Sequence, residues 1–171
     1  TPATPDILII DGAVTPAPTI TAFATQTIGR LALTNNAAAM LQSSAGATLT
    51  ISGALGTDLD IPSGSSLTLG GTSSIGIAFS GTQTATIAGT LKTSTTGTGT
   101  LNFTNCTATI SGTLDCSSTT NSYTGTATTT TFTSTGTCIM GSNSLVIPIA
   151  TWNIASNLNI TGIVAATSAT N

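Results

Sequence analysis

One eight-residue phrase recurs along this chain, and it limits the possible folds more than any other feature. Thr84-Ala-Thr-Ile-Ala-Gly-Thr-Leu91 and Thr107-Ala-Thr-Ile-Ser-Gly-Thr-Leu114 agree at seven of eight positions. The same frame fits the stretches that begin at Ile7, Arg30, Thr48, Ser66, Thr131 and Asn157. Eight units therefore follow one another. The steps between their starts are short and equal from Arg30 through Thr48 and Ser66 to Thr84, and longer on either side. Such steps match the coil of a solenoid and fall short of the roughly 33 to 45 residues of helical repeats or propeller blades.

Each position in the unit has a physical task. The second and fourth residues are mostly apolar, as in Leu49 and Ile51, Leu67 and Leu69, or Ala108 and Ile110. Alternation puts them on one face of a strand, and the Thr and Ser between them on the other. The sixth position holds Gly12, Asn35, Gly53, Gly71, Gly89, Gly112, Gly136 and Gly162. Glycine with one asparagine is the pattern for a bend at positive φ. The eighth residue (Leu55, Leu91, Leu114, Val164) then points back inward. Further strands are expected at Leu59-Asp-Ile61, Ile77-Ala-Phe79, Leu101-Asn-Phe103 and Leu145-Val-Ile147. Turns are expected at Pro62-Ser-Gly64, Ser80-Gly81 and Thr104-Asn105, and longer loops at Thr93 to Thr98 and Ser117 to Ser122.

A coil of this kind cannot bury its apolar face alone, so it stacks on its neighbours at roughly 4.8 Å per coil. The expected fold is all-β: a single-stranded parallel β-helix of about eight coils over residues 1–171, one segment of a longer repeat protein. Leu49, Leu55, Ile61 and Leu67 stand six apart and would suit a left-handed coil of three short sides. The longer later steps, with variable loops, favour a right-handed one.

Composition decides what covers the rod. Charged residues are 4% of the chain, against roughly 25% in an average soluble domain. Thr, roughly a quarter of the residues, takes over the surface and suits strands because its branched side chain fits a pleated sheet. Arg30 and Lys92 are the only cations, too few to neutralise a row of phosphates, so neither nucleic acid nor an anionic membrane is an expected partner. No run of about 18 apolar residues would span a bilayer. The scarcity of Lys and the lack of Glu and His point to an extracellular setting.

Candidates for chemistry are few. With no His or Glu, proton transfer would fall to Asp6, Asp11, Asp58, Asp60 or Asp115. Asp58 and Asp60, spaced by two, could share a strand face as an acid–base or calcium-binding pair in a glycan-active β-helix enzyme. The plainer reading is two solvated carboxylates that keep an edge soluble. Cys106, Cys116 and Cys138 match no zinc spacing and have no activating base; one disulfide between neighbouring coils is conceivable, and at least one thiol stays free. Trp152 and Tyr123 suit coil-end plugs, or a platform for a sugar ring. Asn102, Asn105 and Asn159 each begin an N-glycosylation pattern. No catalytic residue, metal or cofactor is expected. The most regular feature is an outward Thr-x-Thr ladder over five units: Thr48/Thr50, Ser66/Thr68, Thr84/Thr86, Thr107/Thr109 and Thr131/Thr133. Such an array resembles the ice-binding face of solenoid antifreeze proteins. Thr is also simply the best outward residue for an uncharged strand.

Gly97-Thr-Gly-Thr-Leu-Asn-Phe103, the unit from Thr107 to Leu114, and the opening Asp6-Ile-Leu-Ile-Ile-Asp-Gly12 carry a wider resemblance. They resemble the β-helical repeat regions of large surface adhesins that gliding bacteria export by the type IX route. Filamentous-haemagglutinin-like passengers look similar. The resemblance implies surface display and adhesion, with neighbouring repeats or subunits, surface glycans and the secretion machinery as partners. It supplies no catalytic residues.

Overall fold

A computed structural model describes residues 6–13, 18–54, 56–117, 121–124, 129–141 and 149–160. The first turn of the chain carries β1 (Ile7–Asp11), β2 (Thr19–Ile20) and β3 (Gln26–Ile28). The second carries β4 (Arg30–Thr34), β5 (Ala38–Ser43) and β6 (Ala47–Ile51). The third has β7 (Leu59–Ile61), β8 (Ser66–Gly71) and β9 (Ile75–Phe79), and the fourth β10 (Gln83–Ile87), β11 (Thr90–Thr95) and β12 (Gly99–Asn102). Then come β13 (Cys106–Ile110), β14 (Thr113–Cys116) and β15 (Asn121–Thr124). The last described strands are β16 (Thr130–Phe132), β17 (Thr137–Met140), β18 (Thr151–Trp152) and β19 (Asn157–Ile160). There is no helix among the described residues.

Like strands stack on like, always in parallel. The first sheet runs β1-β4-β7-β10-β13-β16-β18, the second β2-β5-β8-β11-β14-β17-β19, and the third β3-β6-β9-β12-β15. The chain is therefore a three-walled parallel β-solenoid. Seven strands in a wall make six steps, so the stack has about six turns and a length of roughly 29 Å.

The walls enclose one continuous core, because every wall points alternate residues inward in unbroken columns. Ile10, Leu33, Ile61, Ile87, Ile110 and Phe132 line the first wall, and Leu67, Leu91, Leu114 and Cys138 the second, all at most 6% exposed. Register keeps these residues aligned: Ile87 faces both Ile61 and Ile110, and Leu91 faces both Leu67 and Leu114. At full burial each such side chain is worth roughly 1.5–3 kcal/mol. The third wall adds a run of rings. Phe79 and Phe103 lie 5.5 Å apart, and Phe103 and Tyr123 5.7 Å apart.

The eight sequence units do not correspond to eight coils. Those at Ile7, Arg30, Thr84, Thr107 and Thr131 lie on the first wall, that at Ser66 on the second, that at Thr48 on the third and that at Asn157 on the second. The three short steps between Arg30 and Thr84 each cross two walls, so together they make two complete turns. The true coil is the longer step, which carries Thr84 round to its partner Thr107 and Leu31 round to Leu59. Strand plus glycine corner is a local pattern that any wall can use.

The glycine positions also need correction. Asn35, Gly53 and Gly71 have φ of 51°, 96° and 108°, as expected for bends. Gly12, Gly89, Gly112 and Gly136 are not at positive φ. They are needed because the neighbouring coil is too close. A Cβ on Gly112 would overlap the carbonyl oxygens of Gly89 and Ala88. Gly89, Gly112 and Gly136 stack at the corner between the first and second walls, where the amides of Thr113 and Thr137 donate to the Gly89 and Gly112 carbonyls at 2.8 Å. Gly53 belongs to a different corner, after β6, and Gly162, Leu55, Val164 and Leu145–Ile147 lie outside the described residues.

The expected turns at Pro62, Ser80 and Thr104 are present. The loop expected at Thr93 to Thr98 begins instead as strand, since Thr93 and Thr95 lie in β11 with their side chains buried. The Thr95 hydroxyl donates to the Gly71 carbonyl at 3.1 Å, which lets a polar residue take an inward position. In the loop expected at Ser117 to Ser122, the described residues Asn121 and Ser122 already belong to β15.

Candidate functional site

The expected Thr ladder is divided among the walls. Thr48 and Thr50 are on the third wall and Ser66 and Thr68 on the second, so neither pair stacks on the rest. On the first wall Thr84 pairs with Thr107 and Thr86 with Thr109. Thr131 then pairs with Thr109 rather than Thr107, two residues out of the frame read from sequence, and Thr151 pairs with Thr131. Thr133 falls beyond the end of β16. The result is one outward column of four threonines, Thr86, Thr109, Thr131 and Thr151, with a shorter column of Thr84 and Thr107 beside it. The coil below interrupts both columns, because Thr86 there faces Asp60.

Asp58 and Asp60 part company at that interruption. Asp58 is 5% exposed and acts as a clasp. One carboxylate oxygen accepts the Ala54 amide at 3.0 Å; the other accepts the Thr84 amide at 2.8 Å and the Thr84 hydroxyl at 3.0 Å. The reading of two solvated carboxylates therefore fails for Asp58, whose charge is met by hydrogen bonds rather than water. Asp60 faces outward, 3.7 Å from the Arg30 guanidinium. The first wall thus passes from a charged patch to a neutral hydroxyl-and-methyl surface within one coil.

The second wall carries the other ion pair. Lys92 and Asp115 are register partners on β11 and β14, with 3.1 Å between Nζ and the carboxylate. Burial pushes the Asp115 carboxyl up. The Ser117 hydroxyl and amide and the nearby ammonium outweigh it, so the pKa falls below the usual value. Asp11, at an exposed corner, is also held low, by the Ala13 amide and then by the Asn35 side chain.

The three cysteines are buried and none is in a disulfide. Cys116 stands opposite Met140, and Cys138 opposite Leu114, so the two point inward from adjacent strands two residues out of register. Strand spacing and two residues of rise place their Cα atoms roughly 8 Å apart, beyond what a disulfide spans. Cys106 lies on another wall, opposite Gln83. The disulfide considered between neighbouring coils therefore does not form. Burial raises the Cys106 thiol to about 12, with the Asp58 charge adding to it, and raises Cys116 to about 12 with help from Asp115. Such thiols are poor nucleophiles. Among the described residues no group of three or more His, Cys, Asp or Glu side chains converges as metal ligands.

Trp152 lies flat on Phe132 at 4.1 Å with 4° between the planes, stacked along the core axis as a plug. Tyr123 is tucked under Phe103, and its hydroxyl donates to Thr130 at 3.0 Å. Of the glycosylation patterns, Asn105 and Thr107 are both exposed at the start of β13, with Cys106 between them turned inward. Asn102 is occupied in its own turn, accepting the Thr104 amide at 3.0 Å, and Asn159 lies exposed on β19.

Sequence reasoning missed a hollow beside the first three turns. Thr21, Ala22, Gln42, Ser43, Ser44, Gly71 and Thr72 line about 330 Å³, and an adjoining hollow of about 170 Å³ lies between the segment 22–25 and the segment 43–46. Its parts come from three separate corners, so no local motif announces it.

Fold and surface together define the class as a Thr-rich parallel β-solenoid. The chain matches no known family model, no curated protein and no solved structure.

Proposed function

We propose that this chain is an extracellular structural and adhesive rod segment of a bacterial cell-surface protein, of the kind that gliding bacteria export by the type IX route. The supporting observation is the pairing of an unbroken ladder core with a nearly charge-free hydroxyl surface. Two walls run in parallel register through seven strands, and the whole chain carries only two cationic and five acidic residues. A body built this way has length and stiffness, which suits a spacer that also offers long, weakly adhesive faces. Its partners in this reading are neighbouring repeats or subunits, and surface glycans. The resemblance of Gly97–Phe103 and Asp6–Gly12 to adhesin repeats adds the route of export. Labelling intact, unpermeabilised cells of the source organism with an antibody against the chain tests the reading. Surface signal is expected, and signal only after permeabilisation would overturn it.

A second reading has one observation in its favour. Thr86, Thr109, Thr131 and Thr151 stack in register on a single wall, as an ice-binding face requires. Thermal hysteresis of the purified chain, abolished by Thr109→Tyr, would support it. No hysteresis in the unaltered chain would remove it.

A further inference from the structure

We infer that the hollow over the corners between the second and third walls is a binding site for a neutral sugar. The inference rests on the surface-rod reading for its setting and adds the site and class of ligand through which the rod would adhere.

The hollow is built along the rod axis from three stacked corners: Thr21 to Thr25 after β2, Ser43 to Gly46 at the end of β5, and Gly71 with Thr72 at the end of β8. Its size, about 330 Å³, falls at the lower end of the range for small-ligand sites. Its rim is fixed before any ligand arrives. Phe23 is 5% exposed and anchors the first corner in the core, and its amide donates to the Gln42 carbonyl at 2.7 Å. Ala22 beside it is held at φ 54°, a conformation that a residue with a Cβ seldom takes. The anchor at Phe23 thus presents Ala22 and Thr21 outward over the second corner. The third corner is locked as well: the amides of Thr72 and Ser73 both donate to the Ser43 carbonyl, and the Ser73 hydroxyl donates to the Ser44 carbonyl at 2.7 Å.

The lining chemistry selects the ligand. No lining residue carries a charge, so an anion would meet no cation and a cation no carboxylate. The side-chain hydroxyls of Thr21, Ser44 and Thr72 make no hydrogen bond within the described residues. Each can donate and accept. The Gln42 amide nitrogen donates only to the Met40 sulfur at 3.0 Å, a weak acceptor that a better one would replace. Three free hydroxyls and a carboxamide around a solvent-exposed hollow fit a partner that itself offers neutral hydroxyls in several directions. A sugar residue does so. An apolar ligand would leave these groups without water, at a cost.

Titration of the isotope-labelled chain with galactose, N-acetylglucosamine and glucuronate, followed by amide NMR, tests the site. The expected result is a saturable shift at Ser44, Gly71 and Thr72 with at least one neutral sugar, and weaker or no response to glucuronate. With no titratable group in the lining, the response should be unchanged across neutral pH. The double variant S44A/T72V removes two exposed hydroxyls without touching the core, so its melting temperature should be that of the parent. It should weaken binding by about tenfold, the scale of one or two lost hydrogen bonds. T109V, on the far wall, should not. Absence of saturable shifts with either neutral sugar at about 100 mM, well above the millimolar range of weak binding, overturns the inference. So does binding undiminished in S44A/T72V, or tighter binding of glucuronate. A surface-labelled rod that binds neither sugar would sink the site and leave the rod reading intact.

Discussion

Leu91 and Leu158 occupy the same inward column of the second wall, yet one is fully buried and the other is 38% exposed. Their strands are similar and their side chains identical. What differs is the coil on the far side. Leu91 has Leu67 below it and Leu114 above. Leu158 has Cys138 on one side, and among the described residues no strand pairs with the other edge of β19. Ile160, two residues on, is 43% exposed for the same reason. In this architecture a strand does not bury its own apolar residues. The neighbouring coils do, so stability accrues at each interface between turns.

The sharpest way to break that comparison is to push two coils apart. Gly112 sits where a Cβ would overlap backbone oxygens of the coil beneath. Backbone cannot swing aside like a side chain, so Gly112→Ala should cost about 3 kcal/mol or more, among the larger single-site effects. Urea unfolding followed by far-ultraviolet circular dichroism would measure it. A loss under about 1 kcal/mol would mean that the coils can move apart and that stacking is not tight. The column tolerates a Cβ at either side of the glycine run, since Ser65 and Ser156 stand there.

Next in size is the direct test of the two leucines. Leu91→Ala should cost about 3 kcal/mol, the middle of the range for fully buried leucines. Leu158→Ala should cost less than about 1 kcal/mol, because much of its side chain already meets water. Equal costs would show that interfaces do not act separately.

The Asp58 clasp sharpens the comparison with a polar group. It joins residues 26 apart in sequence, tying the approach to one coil to the strand of the next. Asp58→Asn keeps the shape but turns a donor toward a backbone amide. An expected loss of about 1–3 kcal/mol follows, the cost of one buried donor left unmet. A neutral outcome in the same urea experiment would place Asp58 in water after all.

These cases show what was legible from the residues. Inward and outward faces were, because alternation has the same meaning on every wall: Leu67 and Leu69 went in, Thr84 and Thr107 out. The length of a coil was not. The unit at Thr48 reads like the unit at Thr84 because strand and corner chemistry is the same on all three walls, and nothing within eight residues tells one wall from another. The roles of the glycines were half legible. Positive φ at Gly53 and Gly71 is a local property, whereas the need at Gly112 comes from the backbone of Ala88 and Gly89, one coil earlier. Asp58 was misread for the same reason: its partner Thr84 belongs to the next turn. The hollow at Thr21, Ser44 and Thr72 was invisible, being assembled from three corners that only coil length brings together.

The smallest expected effect belongs to Lys92, and its pH dependence identifies its cause. The ammonium lies 3.1 Å from Asp115 across adjacent coils, but its side chain is 41% exposed, so solvent screens most of the attraction. Lys92→Met should therefore cost less than about 1 kcal/mol near pH 7. Asp115 has a folded pKa below its unfolded value of about 3.9. Its ionised form therefore stabilises the fold above that unfolded value, and the contribution disappears as pH falls through the folded pKa. Lys92→Met removes one contributor to that depression, and the gap between parent and variant should close in acid as the carboxylate protonates. High salt near neutrality should narrow the gap too, since the ion pair is partly exposed. Melting curves of both proteins at pH 7 and in acid, with and without salt, would decide it. A gap of the same size at every pH would assign the role of Lys92 to its aliphatic stem packing along the wall and not to its charge.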